Sequence, residues 1–153
     1  IEEIYNHSNE NDCQIILPSD ASVAPKLDPD INFAVKKIDR LNSSDMILDI
    51  GPVSTKDLKE VISNSKTVFW NGPPGVFEVE PFNKATIEIA NHIADLTSAG
   101  KIQSFAGGGD TVAAINKFKC SDGFTYLSTA GGAFLELLEG KILPGIKALE
   151  INE

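Results

Sequence analysis

The chain has 153 residues, enough for one domain with a core of its own. Hydrophobic residues make up 42% and charged residues 23%, the balance expected of a globular protein in water. A net charge of −9 excludes a broad basic footprint for nucleic acid, so an anion must be held locally, by backbone amides and a few lysines, often with a divalent cation.

Cys13 and Cys120 stand in no metal-ligand spacing and read as reduced thiols of a cytoplasmic protein. His7 and His92 have no partner pattern, and His92 falls on the polar face of a helix. No charged-then-apolar leader opens the sequence and no apolar run approaches membrane-spanning length, so no membrane partner is expected. The first residue is Ile1 rather than Met, which reads as a piece of a longer protein.

In chain order, Ile1 to Asp12 reads as a helix tail running into a loop. Gln14 to Leu17 is a short buried-strand candidate stopped by Pro18. Ser19 to Leu41 reads as irregular, because Pro25, Pro29 and several aspartates break any period. Met46 to Ile50 is a second strand, stopped by Gly51-Pro52. Ser54 is expected to cap the next helix with Asp57 as its capping-box partner, and Leu58, Val61 and Ile62 to form its apolar face.

Thr67 to Trp70, β-branched and aromatic, is the third strand. Asn71 to Pro81 is a long loop, and Phe82-Asn83 opens a helix with Ile89, Ile93 and Leu96 on one face and Gly100 at its end. Ile102 to Ala106 is the fourth strand, Asp110 to Phe118 a short helix and Phe124 to Leu127 the fifth strand. Ala133 to Glu139 reads as a helix packed through Phe134, Leu137 and Leu138, and Leu143-Pro144-Gly145 starts a last helical turn.

Strand and helix alternate through the second half. That pattern predicts an α/β fold: a Rossmann-like parallel sheet with helices on both faces, three layers deep. Ligands in such folds bind beyond the carboxyl ends of the strands. The loops Asn71–Glu78, Gly107–Thr111 and Ser128–Ala133 all follow strands, so all three are expected on one edge.

Two of these loops carry the chemistry. Gly107-Gly108-Gly109-Asp110 and Ser128-Thr129-Ala130-Gly131-Gly132 each join a strand to a helix through glycines. Such a turn leaves first-turn N–H groups open to an anion, with no Cβ in the way and the helix dipole in favour. Asp110 can cap its helix, or hold Mg²⁺ beside a polyphosphate. The second turn reads equally as a capped helix start or as an anion cradle. In the third loop Asn71 can donate to a phosphate and Glu78 can accept from a ribose diol, or the loop is a surface turn with a solvated glutamate. Trp70 and Phe77 beside it read as core, or as the border of a purine site. A dinucleotide fingerprint fails, because Val112 occupies the last glycine position and no acidic residue follows at the right distance. A Walker-type phosphate loop is absent from the sequence.

Taken together, the segments Trp70-Asn71-Gly72-Pro73, Val76-Phe77-Glu78, Gly107-Gly108-Gly109-Asp110-Thr111, Ser128-Thr129, Gly131-Gly132-Ala133 and Leu135 to Lys141 follow the order seen in phosphoglycerate kinases. Ile16-Leu17-Pro18 with Asp20, Asp49 to Pro52 and Leu143-Pro144-Gly145 fit as well. The sequence resembles that family over nearly its whole length. The resemblance implies a glycolytic kinase of the cytoplasm, monomeric at full length, that moves a phosphoryl group reversibly between ATP and 3-phosphoglycerate with Mg²⁺. It implies that residues 1–153 are an incomplete C-terminal, nucleotide-binding domain, inactive alone, with the substrate lobe and the family's nucleotide-lobe lysines upstream. By the same resemblance Glu78 binds the ribose, and Asn71 lies near the phosphates. Gly108, Gly109 and Thr111 contact the nucleotide, Asp110 ligates the metal, and Gly131 and Gly132 present N–H groups to the moving phosphoryl group. The adenine is expected near Ile47 and Val76. Ala130 and Phe134 depart from the commonest family form, which has a third glycine and a small polar residue there. The alternative is a stand-alone, non-catalytic nucleotide- or anion-binding module on the same fold.

Overall fold

The computed structural model describes residues 1–128 and 132–150. It contains two three-stranded sheets. The first is antiparallel, with β1 (Asp20–Ala24) between β2 (Ala34–Lys37) and β3 (Met46–Ile50). The second is parallel, with β5 (Gln103–Gly107) between β4 (Thr67–Asn71) and β6 (Tyr126–Ser128). The helices are α1 (Glu2–Glu10), α2 (Pro52–Asn64), α3 (Lys84–Ser98), α4 (Gly109–Lys117), α5 (Gly132–Leu138) and α6 (Pro144–Glu150). No helix among the described residues is long and apolar enough to cross a membrane.

The second half matches its alternating pattern: β4, α3, β5, α4 and β6 follow one another, and the sheet they build is parallel. Strand β5 is central, and α3 and α4 both pack on it. Ile89 and Ile93 of α3, Trp70 of β4, Ala106 of β5, Ile115 of α4 and Phe124 form the main core. Trp70 stacks on Phe124 with ring centroids 6.1 Å apart, and its indole N–H donates to the Gly72 carbonyl at 2.8 Å. The backbone beyond Trp70 is therefore tied to the core at the point where the long loop begins.

The first half departs from the sequence reading. Gln14 to Leu17 is not a strand; pairing starts at Asp20, beyond Pro18. The stretch from Ser19 to Leu41 holds β1, β2 and a short 3₁₀ turn at Ile38–Arg40. Met46–Ile50 is a strand as expected, but it pairs antiparallel with β1 and is not part of the parallel sheet. Its partner strand has only five residues, too few for alternation to stand out beside the prolines and aspartates.

The start of α2 also differs. Gly51 occupies the N-cap and Pro52 the first turn, where a missing N–H costs nothing. Ser54 lies inside the helix and makes no capping box with Asp57. The capping carboxylate comes instead from β1: Asp20 accepts from the Val53 and Ser54 amides at 3.1 and 2.8 Å, and from the Ser54 hydroxyl at 2.6 Å. Burial opposes ionisation of Asp20, but the bonds from Ser54 and Val53 outweigh it and hold its carboxyl below the ordinary value. Ile62 faces the core with Leu58, whereas Val61 is exposed. On α5, Leu137 and Leu138 are exposed rather than packed, Leu138 at 61%. Cys13 and Cys120 are both free thiols, the first exposed and the second buried.

Candidate functional site at the carboxyl edge of the parallel sheet

The register of the parallel sheet sets the site. Asn71 of β4 lies opposite Gly107 of β5, and Gly107 lies opposite Ser128 of β6. The three chemistry-bearing loops therefore leave the sheet from one row of residues, at the carboxyl ends of adjacent strands. Spacing in sequence, 36 residues and then 21, disappears into neighbouring strands about 5 Å apart.

Gly108 turns the chain from β5 into α4 with φ +96°, a conformation that glycine adopts without cost. A Cβ at this position would meet the Asn71 amide oxygen at 2.7 Å, so the glycine also lets that side chain lie against the turn. Gly109, the first residue of α4, faces open space. Asp110 follows in the first turn and is exposed. Thr111 is buried, at 1% exposure, and its hydroxyl accepts the Gly72 amide N–H at 2.7 Å. Asn71, Gly72, Gly108, Gly109, Asp110 and Thr111 are thus one cluster.

Thr111 therefore does more than its sequence position suggests: its side chain holds the start of the 71–81 loop. At the far end of that loop Phe77 is buried and Glu78 is exposed. Lys117, the last residue of α4, donates to the Phe77 carbonyl at 3.2 Å and the Glu78 carbonyl at 2.9 Å. Between these ends the loop crosses Asp49 of β3. Gly75 is needed there, because a Cβ would collide with the Asp49 carboxylate and the Phe82 carbonyl. The Val76 amide donates to the Leu48 carbonyl at 2.8 Å, which joins the loop to β3.

Asp49 entered the sequence reading only as part of a strand and of the Asp49 to Pro52 segment, with no role of its own. It is 2% exposed, and its two oxygens accept the Ile50 and Ala85 amides at 2.9 and 3.0 Å. It thereby satisfies an open N–H in the first turn of α3. Burial pushes its carboxyl up to about 6, against the pull of those two hydrogen bonds, with Glu88 adding a smaller like-charge push. Neither Lys117 nor Asp49 carries a local motif; each matters only because a distant segment crosses it.

Gly132 opens α5 after β6 and faces open space. Gly131, Thr129 and Ala130 lie outside the described residues, as does the side chain of Phe134. The described residues contain no group of three or more His, Cys, Asp or Glu side chains that could cage a metal. Mg²⁺ does not require one: it uses one or two carboxylates and fills its shell with phosphate oxygens and water. Asp110, exposed beside open backbone, is a donor of that kind.

A parallel sheet whose adjacent strand ends open onto glycine-rich helix starts defines a Rossmann-like α/β unit, here part of a larger domain. The sequence profile of the family described as phosphoglycerate kinase matches residues 1–141. The chain belongs to that family. It is 50% identical over 148 residues to a phosphoglycerate kinase of Caulobacter vibrioides and 47% identical over 150 residues to one of Zymomonas mobilis. It spans 97% and 98% of itself in those matches but only 37% and 38% of the relatives' length. Among solved structures, phosphoglycerate kinase from Coxiella burnetii superposes with a TM-score of 0.89 at 42% identity, over 97% of this chain and 37% of that one. The enzyme from Pyrococcus horikoshii gives 0.78 at 30% identity, over 98% and 36%.

Proposed function

We propose that this chain is the later part of the nucleotide-binding lobe of a cytoplasmic, monomeric phosphoglycerate kinase. The reaction is reversible phosphoryl transfer between ATP and 3-phosphoglycerate, a step of glycolysis. The observation that carries this reading is the single row Asn71, Gly107, Ser128, with the Gly72–Thr111 bond closing the first two loops into one cluster. That row would present the amides of Gly108 and Gly109, the Asn71 side chain and the Asp110 carboxylate to one polyphosphate.

Glu78 accepts hydrogen bonds from the ribose hydroxyls. Asn71 donates to phosphate oxygens, and the first-turn amides of α4, from Gly109 through Thr111, meet the negative charge at the positive end of the helix dipole. Asp110 would hold Mg²⁺, which when bound neutralises charge on the phosphates. Gly132, at the start of α5, offers its N–H group to the phosphoryl group in transfer, the role the family resemblance also gives to Gly131. No side chain here need act as nucleophile, because phosphoryl transfer is accelerated mainly by positioning and charge stabilisation. The sugar acid and the remaining cationic groups belong to the part of the protein that lies outside this chain.

The test is calorimetric titration of the full-length protein that carries this segment. Asp110→Ala should weaken Mg–ADP binding about tenfold or more, the size of one charge-assisted contact, with little change in melting temperature. A variant that binds Mg–ADP as tightly as the parent would show that Asp110 holds no metal.

A further inference from the structure

Resting on the nucleotide reading above, we infer that Lys117 is a positioning residue that sets the distance between the ribose carboxylate, Glu78, and the phosphate turn at Gly108–Thr111. The observation is that one loop is clipped at both ends to one helix. At its start the Gly72 amide donates to Thr111, in the first turn of α4. At its end the Phe77 and Glu78 carbonyls accept from Lys117, in the last turn of the same helix. Lys117 follows Thr111 by six positions on α4, so the two clips stand about 9 Å apart along the helix at 1.5 Å per residue. A helix is a rigid spacer, and the loop takes its span from it.

Three features favour positioning over incidental contact. The ammonium reaches two consecutive carbonyls, which fixes the peptide units on both sides of the Glu78 Cα. It also lies 6.0 Å above the Phe77 ring, whose side chain is 8% exposed, so the clip is anchored in the core. And among the described residues Lys117 pairs with no carboxylate, so it aims Glu78 without neutralising it. Pro73 and Pro74 stiffen the intervening backbone by fixing φ. With both ends held and the middle stiff, Glu78 meets the ribose without a further ordering cost.

The experiment compares the full-length parent with Lys117→Met, Lys117→Gln and Lys117→Arg. The ligands are Mg–ADP, Mg–2′,3′-dideoxy-ADP, which lacks the diol, and Mg–pyrophosphate, which lacks the nucleoside. Lys117→Met should weaken Mg–ADP about tenfold, raise KM for nucleotide and leave kcat and Mg–pyrophosphate affinity within about twofold. It should also abolish the parent's preference for ADP over the dideoxy analogue, and Lys117→Arg should restore most of it. Lys117→Gln gives the same readout should the Met variant not fold. Equal losses for ADP and pyrophosphate, or an unchanged preference for the diol, would overturn the role of Lys117 alone. A parent that binds Mg–ADP without preferring the diol would overturn the role of Glu78, and this inference with it.

Discussion

At the scale of single residues, two positions show chemistry decided by close approach. Gly108 combines φ +96° with a backbone surface pressed against the Asn71 amide. Gly108→Ala should cost about 1–3 kcal/mol of stability, because both the dihedral and the contact resist a Cβ. It should also displace Asn71 and weaken Mg–ADP binding. Thermal melts and calorimetry on the same full-length preparation check both effects. Asp49 is the second case. Its carboxyl sits at about 6 in the native protein and returns to 3.8 on unfolding. Below 3.8 both states are protonated. As pH rises from 3.8 to about 6 the unfolded chain releases the proton while the native chain keeps it, so Asp49's contribution to stability falls across that window. The melting temperature of the parent minus that of Asp49→Asn should therefore decline as pH rises through the window and level off above it. A difference that grows with pH would show that the hydrogen bonds from Ala85 and Ile50 outweigh burial. Asp20, Asp28 and Asp45 act in the opposite sense: their carboxyls are held low, and their share is lost as pH falls below the ordinary carboxylate range.

At the scale of elements, helix starts are served from a distance. The α2 start takes its carboxylate from β1, through Asp20, and the α3 start takes its carboxylate from β3, through Asp49. Each cap therefore ties the antiparallel sheet to a helix, and the Asp49 cap ties it to α3 of the second half. Asp20→Ala would leave the Val53 and Ser54 amides without their acceptor in a largely buried place. The expected loss is about 1–3 kcal/mol, seen as a lower urea midpoint with an unchanged slope. A change below about 0.5 kcal/mol would mean that water replaces the carboxylate. The capping box expected at Ser54 and Asp57 shows why such arrangements escape a local reading. The right residue types stand at the right spacing, but Pro52 lets the helix begin earlier, and a strand more than 30 residues upstream supplies the cap.

At the scale of the whole molecule, the chain spans about 37% of the length of the relatives it matches. Under the proposed function it carries one wall of a two-substrate site. Holding two reactants in line is worth about 7–11 kcal/mol, and this wall alone cannot hold both. The purified chain should show no turnover in a coupled phosphoglycerate kinase assay, and activity should return only when the complementary N-terminal piece is added. Turnover by the chain alone would refute the assignment of the second substrate to the missing part.

The α/β alternation of the second half, the strands at Thr67 and Ile102, the helix through Ile89 and Ile93, and the gathering of three loops on one edge were legible in the sequence. Each rests on local signals: periodicity, β-branching, glycine at turns, and the rule that parallel strands share a carboxyl edge. The family was legible too, because several uncommon segments stand in one order. The antiparallel sheet was not, since Asp20–Ala24 and Ala34–Lys37 are short strands whose pattern is broken by neighbouring prolines and aspartates. Nor were the Asp20 cap, the buried charge of Asp49, the inward turn of the Thr111 hydroxyl or the Lys117 clip. Each of these joins residues 33 to 40 positions apart, and the energy of such a contact depends on burial and on a distance that only the folded chain sets.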